Sequence, residues 1–376
     1  MKIKDICVEI TDGSHNPPKC IVKSEYLMLS SKNIFDNKIT MDDPRYLSKE
    51  DFEKENKRTK VMPGDVLLTI VGTVGRAAVV RESMPDFTLQ RSVAVLHPNK
   101  DICNSRYLMY ALQSRRSYIN SRAKGVAQKG VYLKEISNIN LKMMTLLEQK
   151  NVVNILDKVM SIIAFRQQEL QKLDSLVRSR FVEMFGDPII NEKEWPCIIL
   201  SDACQSILGG GTPSKSCNEF FSGTIPWVTP KDMKLSIIND SIDHITEDAI
   251  KYSTTNLVPK ESVLMVIRSG ILKHSLPVAM NSIPVTINQD MKAFIPGKNI
   301  TAEFLLHFFK AIENDILSGV RSVTADNIDF KTFQKRMIII PPLDLQQQFA
   351  AFIAQVDKSK VAVQKIFKIS RFNDII

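Results

Sequence analysis

The sequence predicts an α+β protein built twice over: two tandem modules of short strands and turns, each followed by a long amphipathic helix. Three observations carry this. Four landmarks recur at a nearly constant separation along the 376 residues. Apolar residues run at helical spacing over several heptads from Val152 to Phe181. A second stripe of the same rhythm runs from Phe349 to Phe367. The length itself suits two or three domains.

The landmarks set the order of elements. Val61–Leu68 (VMPGDVLL) resembles Leu257–Leu264 (LVPKESVL), each a turn signal entering an apolar strand. Gln90 in FTLQRSVAVLHP matches Gln289 in VTINQDMKAFIP. Arg106-Tyr107-Leu108 matches Glu303-Phe304-Leu305, each opening an apolar helix. Glu148-Gln149-Lys150 matches Gln346-Gln347-Gln348 at the head of each long helix. The separations are 196, 199, 197 and 198 residues, read directly from the numbering. Each half therefore predicts strands and turns, a helix near 104–122 or 301–317, a short strand ending near Met144 or Pro342, and a longer helix.

The first long helix is uninterrupted by Pro or Gly from Leu146 until Gly186, where FGDP stops it. Its pairing stripe is Val152, Leu156, Val159, Ile163, Leu170, Leu173 and Val177; that of the last helix is Phe349, Ile353, Val356, Val363 and Ile366. Two such stripes predict an antiparallel coiled-coil pair, with an internal pseudo-two-fold repeat setting the modules at opposite ends. A helix of about 38 residues is roughly 55–60 Å long, about one and a half turns of duplex DNA. Pairing with the helices of another chain satisfies the same pattern. The predicted divisions are 1–145, 146–187, 188–342 and 343–376.

Composition narrows the function class. No run of 18 apolar residues occurs, so no membrane span is expected, and the N-terminus MKIKDICVEITDG lacks a secretory pattern. The six cysteines are scattered without a C-x-x-C pair and read as reduced thiols of a cytoplasmic protein. The net charge is +9. Residues 146–187 carry six Lys+Arg against six Asp+Glu, and residues 343–376 five against three, so +7 falls to the two modules. The modules are the surfaces expected to meet a polyanion.

Motifs for resident chemistry fail on inspection. GGGTPSKS at 209–216 lacks the Gly that a phosphate loop places before Lys-Ser, and Pro213 has no amide hydrogen. Asn16-Pro17-Pro18-Lys19 places lysine where an amino-methyltransferase stacks an aromatic ring on its flipped base. Pro85-Asp86 is followed by no Glu-x-Lys. The five histidines form no metal-binding pattern.

The segment from Leu147 to Pro188 resembles the central helical region of the specificity subunits of type I restriction–modification systems, and Ile338–Lys360 resembles their distal helical region. ITDGSHNPPK, PGDVLLTIVGTVGRAAVV, GGGTPS and IPWVTPKDM resemble segments of their target recognition domains. The resemblance implies two target recognition domains, each reading half of a split duplex DNA sequence, with the helices fixing the spacing. It implies a non-catalytic chain that binds two methyltransferase subunits and is joined by motor–nuclease subunits. S-adenosylmethionine and ATP with Mg then belong to those partners, and this chain holds no cofactor. The resemblance departs at the distal helix, which ends near Ser370 where the family continues, so part of the central helix is expected to lack its cover or to take it from another subunit.

Reading DNA requires side chains for base edges and phosphate contacts that position them. Polar loops between strands offer Ser14, His15, Lys19, Thr73, Arg76, Gln90, Arg91, Lys124, Gln128 and Lys129 in the first module. The second offers Thr212, Ser214, Lys215, Lys231, Arg268, Lys273, Gln289 and Arg321. The matched Gln90 and Gln289 suit bidentate contact with adenine. Trp195 and Trp227 read as core or turn anchors. Two other classes stay open here: a stand-alone enzyme, and a coiled-coil adaptor without DNA.

Overall fold

The structure, a computed structural model, describes residues 1–125, 129–322 and 326–367; the side chains of 321, 322 and 364–367 lie outside the description. The chain divides into compact units whose boundary falls between Phe165 and Arg166, inside the first long helix.

In the first unit the strands of the two larger sheets are β1 (Cys7–Asp12), β2 (Leu27–Leu29), β3 (Arg45–Tyr46), β4 (Val66–Thr69), β5 (Ala77–Val79), β6 (Phe87–Leu89) and β7 (Val93–Pro98). The longer helices are α1 (Lys49–Thr59), α2 (Ser105–Ser114), α3 (Arg116–Arg122) and the 40-residue α4 (Leu146–Phe185), which continues into the second unit. One sheet has the order β1-β7-β4-β5, antiparallel throughout. A smaller sheet has the order β3-β2-β6, with β2 and β6 parallel. The Met62–Asp65 turn delivers β4: Gly64 takes φ 95°, and Asp65 Oδ2 accepts from the Met62 amide at 2.6 Å.

Strand β7 is buried along its whole length because both faces are covered. Ala94 and Leu96 join the cluster under α2, while Val93 and Val95 join the cluster shared with β6. Helix α2 starts on the Asn104 side chain, which accepts from the amides of Arg106 and Tyr107. The helix expected over 104–122 breaks at Arg115 into α2 and α3, and that expected over 301–317 breaks likewise at Ile312.

The second unit repeats the plan. The strands of its two larger sheets are β8 (Cys204–Gly209), β9 (Ile225–Val228), β10 (Ile237–Ile238), β11 (Asp243–Ile245), β12 (Leu257–Val258), β13 (Val263–Val266), β14 (Val278–Asn281), β15 (Val285–Ile287) and β16 (Met291–Pro296). Helices α5 (Ala302–Ala311), α6 (Glu313–Ser318) and α7 (Leu343–Phe367) follow. The sheets run β8-β16-β13-β14-β10 and β11-β9-β15-β12. The short strand expected near Pro342 is Met337–Ile339, paired with Cys197–Ile199. Near Met144 only the isolated bridge Lys2↔Asn140 occupies the corresponding place.

One buried pair of glutamines makes the duplication exact in chemistry. Gln149 Oε1 accepts from the Asn104 amide at 2.8 Å, and its Nε2 donates to the carbonyls of Ile102 and Met144, both at 2.9 Å. Gln346 Oε1 accepts from the Thr301 amide at 2.9 Å, and its Nε2 donates to Asn299 at 3.0 Å and Pro341 at 2.8 Å. All four residues of each set differ by the same offset of 197, as 346 against 149 shows. The two long helices are thus locked by the same device to the loop that opens the preceding helix.

Helices α4 and α7 pack antiparallel within the second unit. Phe349 meets Phe181 and Phe185 edge-on, at ring separations of 5.6 and 5.4 Å. Further along α7 and back along α4, Lys360 pairs with Asp174 at 2.8 Å. Leu173, Val177, Phe349, Ile353 and Val356 therefore serve as the stripe predicts. Val152 and Leu156 do not: they pack into the first unit's own core beside Val153 and Met160. Val159, Ile163 and Leu170 are half-buried, Val363 is buried, and the Ile366 side chain lies outside the described residues. A three-four stripe records that a face is covered, not what covers it. On the same N-terminal half of α4, Ile155, Ile162 and Phe165 are exposed.

Candidate nucleic-acid interface

In each unit one loop passes so close to a strand turn that only glycine fits. A Cβ on Gly13 would lie 2.1 Å from the Leu89 carbonyl oxygen; one on Gly210 would lie 2.0 Å from that of Asn288. Gly210 and Gly211 are therefore packing requirements of the β8–β9 connection rather than a phosphate cradle. This approach hangs the loop after β1 on the β6–β7 turn, and the loop after β8 on the β15–β16 turn. Ser14 donates its amide to Leu89 at 2.7 Å, and Gly211 to Ile287 at 3.0 Å.

The third component is a hairpin after the short helix. Lys124 pairs with Gly130, and Gly130 with Val71; in the second unit Arg321 pairs with Asn327, and Asn327 with Arg268. These pairings match at the 197 offset, seen as 268 against 71.

In the first unit the loop, turn and hairpin line an open cavity of about 320 Å³ holding Asp12, His15, Arg91, Lys124 and the exposed Tyr132. Asp12 accepts from Arg58 at 2.6 Å and pairs with His15 Nε2 at 2.7 Å. In the second, a cavity of about 630 Å³ holds Arg268, Gln289, Lys292, Asn327, Phe330 and Lys331. Arg268 bonds Asp290 at 2.6 Å, and Lys292 lies 4.8 Å over the Phe330 ring.

Several expected residues are thus brought together: His15, Arg91 and Lys124 in one unit, Arg268 and Gln289 in the other. Thr212 donates to Gln289 Oε1, and Lys273 reaches Asp326 at 3.8 Å. Lys19, Thr73, Lys129, Ser214, Lys215 and Lys231 are exposed but line neither cavity. Arg76 stacks on Phe35 at 5.1 Å. Ser14 is buried and contributes through its backbone. Gln128 and the Arg321 side chain lie outside the described residues.

The match of Gln90 to Gln289 needs correction. The Gln90 amide donates to Leu29, and the Val93 amide to Gln90; in the second unit it is Asn288 that donates to Val228 and accepts from Met291. Gln90 thus corresponds to Asn288, and Gln289 to Arg91. Likewise Val66 takes the place of Val263, one residue off the reading that aligned Leu68 with Leu264. Short apolar strings align equally well in two registers, so letters alone slip by one.

Asp12, Tyr132, Lys292 and Lys331 escaped sequence reading. Lys292 carried a signal: a lone cation in the apolar strand MKAFIP. The other three gave none.

A further cavity of about 480 Å³ lies among α4, α5 and α7. It is no polyanion site, because Asp174, Asp357, Glu303 and Glu313 offset Arg178, Lys234, Lys310 and Lys360. Burial pushes His307 down to about 3 and Lys310 down to about 8 there. Among the described residues, no group of three His, Cys, Asp or Glu is placed to hold a metal ion, and no helix is long and apolar enough to cross a membrane.

Comparison with known proteins gives the repeat a name. A family model described as the type I restriction modification DNA specificity domain matches residues 1–175 and again 192–370. The chain belongs to this family. The EcoR124I/EcoR124II specificity subunit of Escherichia coli is 34% identical over 216 residues, 56% of this chain and 52% of that protein. The MjaIX specificity subunit of Methanocaldococcus jannaschii is 29% identical, over 48% of this chain and 43% of its own. The chain spans about half the length of the curated relatives it matches. The type I S subunit of M. genitalium superposes with a TM-score of 0.54 at 14% identity, covering 98% of this chain and 91% of that one, which establishes the fold alone. The doubled specificity-domain match coincides with the doubled loop, turn and hairpin.

Proposed function

We propose that this chain is the DNA-reading subunit of a type I restriction–modification complex, with each specificity domain reading one half of a bipartite duplex target. The observation that carries the reading is the duplicated loop–turn–hairpin surface, on which exposed polar side chains suited to base edges stand among cations such as Lys124, Lys292 and Lys331. Membership of the specificity-domain family and the +9 net charge support it. The chain directs two methyltransferase subunits and the motor–nuclease subunits to that target and performs no chemistry itself. S-adenosylmethionine and ATP with Mg are used by those partners.

Methylome sequencing of cells carrying the chain with methyltransferase subunits tests this. Methylation of one split motif, lost when the chain is removed, is the expected result. Methylation independent of the chain, or a single short unsplit motif, would overturn it. Cleavage or methyl transfer by the purified chain alone would show a resident catalyst instead.

A further inference from the structure

We propose that Arg91 and Gln289 are equivalent base-reading residues of the two modules, Arg91 addressing a guanine in one half-site and Gln289 an adenine in the other. The inference rests on the DNA-reading function above and goes beyond it by naming a position and its bases.

The equivalence is set by backbone bonds on both sides of each residue. Before it, Gln90 donates to Leu29 at 2.9 Å and Asn288 to Val228 at 3.0 Å. After it, Ile70 donates to Ser92 at 2.9 Å and Ile267 to Asp290 at 2.8 Å. Each turn closes with the same bond, Val93 to Gln90 at 3.1 Å and Met291 to Asn288 at 3.2 Å. One residue sits between these anchors in each module: Arg91 in the first and Gln289 in the second.

Three of the four flanking side chains are used internally, while the fourth, Gln90, faces a separate pocket beside Lys32 and Arg45. Asn288 is buried and bonds Asp290, Asp290 also holds Arg268, and Ser92 accepts from the Ser31 amide. Arg91 and Gln289 are exposed and line their cavities. Among the described residues the Arg91 guanidinium has no hydrogen-bond or ion-pair partner, and neither does the Gln289 Nε2. Thr212 donates to Gln289 Oε1 and so orients the amide, while the second lone pair of that oxygen stays open. His15, which stands where Thr212 does, is turned to Asp12 and leaves Arg91 unheld.

The bases follow from donor and acceptor patterns. In the major groove guanine shows two acceptors, which a guanidinium fork meets with two donors. Adenine shows one acceptor and one donor, which a terminal amide meets with Nε2 and Oε1. Neither side chain meets the other's base bidentately, so one turn in two copies reads two different bases.

The test is selection from randomised duplex DNA by the full chain, wild type and R91Q, Q289R, R91A and Q289A. R91Q is expected to change one guanine of one half-site to adenine, and Q289R one adenine of the other half-site to guanine. The alanine variants are expected to relax those same positions, by on the order of ten- to a hundredfold, with the other half-site unchanged. Thermal unfolding of each variant separates loss of fold from loss of reading. If R91A and Q289A retain the wild-type preference at every position, or if both half-sites change together, the proposal is overturned whatever the exchange variants do. A wild-type chain that selects no split motif defeats the DNA-reading function itself; a split motif unaltered in the alanine variants defeats only this assignment.

Discussion

Replacing Gln149 by leucine keeps most of its volume and deletes three hydrogen bonds. The amide of Asn104 and the carbonyls of Ile102 and Met144 lose their partner in a place where the glutamine is fully buried. At about 1–1.5 kcal/mol for each group, the loss is about 3–5 kcal/mol. That is a large part of the roughly 5–15 kcal/mol that holds a domain together. The loss should be local, because Gln149 ties the head of α4 to the start of α2 in the first unit. Native-state hydrogen exchange reads this directly: protection of the α2 amides should fall by two to three orders of magnitude, about tenfold for each 1.4 kcal/mol. Gln346→Leu should do the same to α5 and leave α2 untouched. Unchanged protection in both variants, or equal loss in both units from either one, would refute the claim that each glutamine locks its own module.

Three further outcomes follow from other parts of the molecule. His307 is held neutral by burial and by Lys310, Lys360 and Arg178, with its value lowered from 6.5 to about 3; the unfolded chain takes up that proton first, so stability of the second unit should fall as pH drops from about 6.5 toward 3, and a His307→Phe variant should flatten the urea-midpoint profile across that range. Burial raises Cys7 and Cys204 to about 12 and Cys103 to about 11; mass spectrometry after brief alkylation at neutral pH should find adducts on the exposed Cys20 and Cys197 first. Alanine at Lys292 and Lys331 should weaken DNA binding for all sequences alike and lower the slope of log affinity on log salt by about 0.9 for each phosphate left unneutralised, with an unchanged slope counting against a phosphate role.

The repeat was legible in the sequence because its largest pieces are periodic or punctuated. The Pro-Gly turn before β4, the apolar helices α2 and α5, and the stripe of α4 each leave a mark that survives divergence. Register was not legible. Val-Leu-Leu and Val-Leu-Met fit one another in neighbouring alignments, and the separation changes from 197 to 198 between β4 and β7, where Leu67 answers Leu264 but Val95 answers Ala293. Only backbone pairing resolves such a slip. The pattern of α4 was likewise correct in showing a covered face and silent about the partner, so Val152 and Leu156 turned out to anchor the first core. For the candidate site, residue type found Arg91, Lys124, Arg268 and Gln289 in loops. Asp12 and Tyr132 were invisible, because only folding brings the loop after β1 to the 124–130 hairpin.

The central claim is that each module reads its own half of a split site. Exchanging residues 1–145 for the corresponding module of another family member, and sequencing the methylome of cells carrying the hybrid with methyltransferase subunits, tests it most directly. One half of the methylated motif should change to that of the donor while the other half stays as in the parent. A motif unchanged in both halves, or replaced in both, would contradict the account.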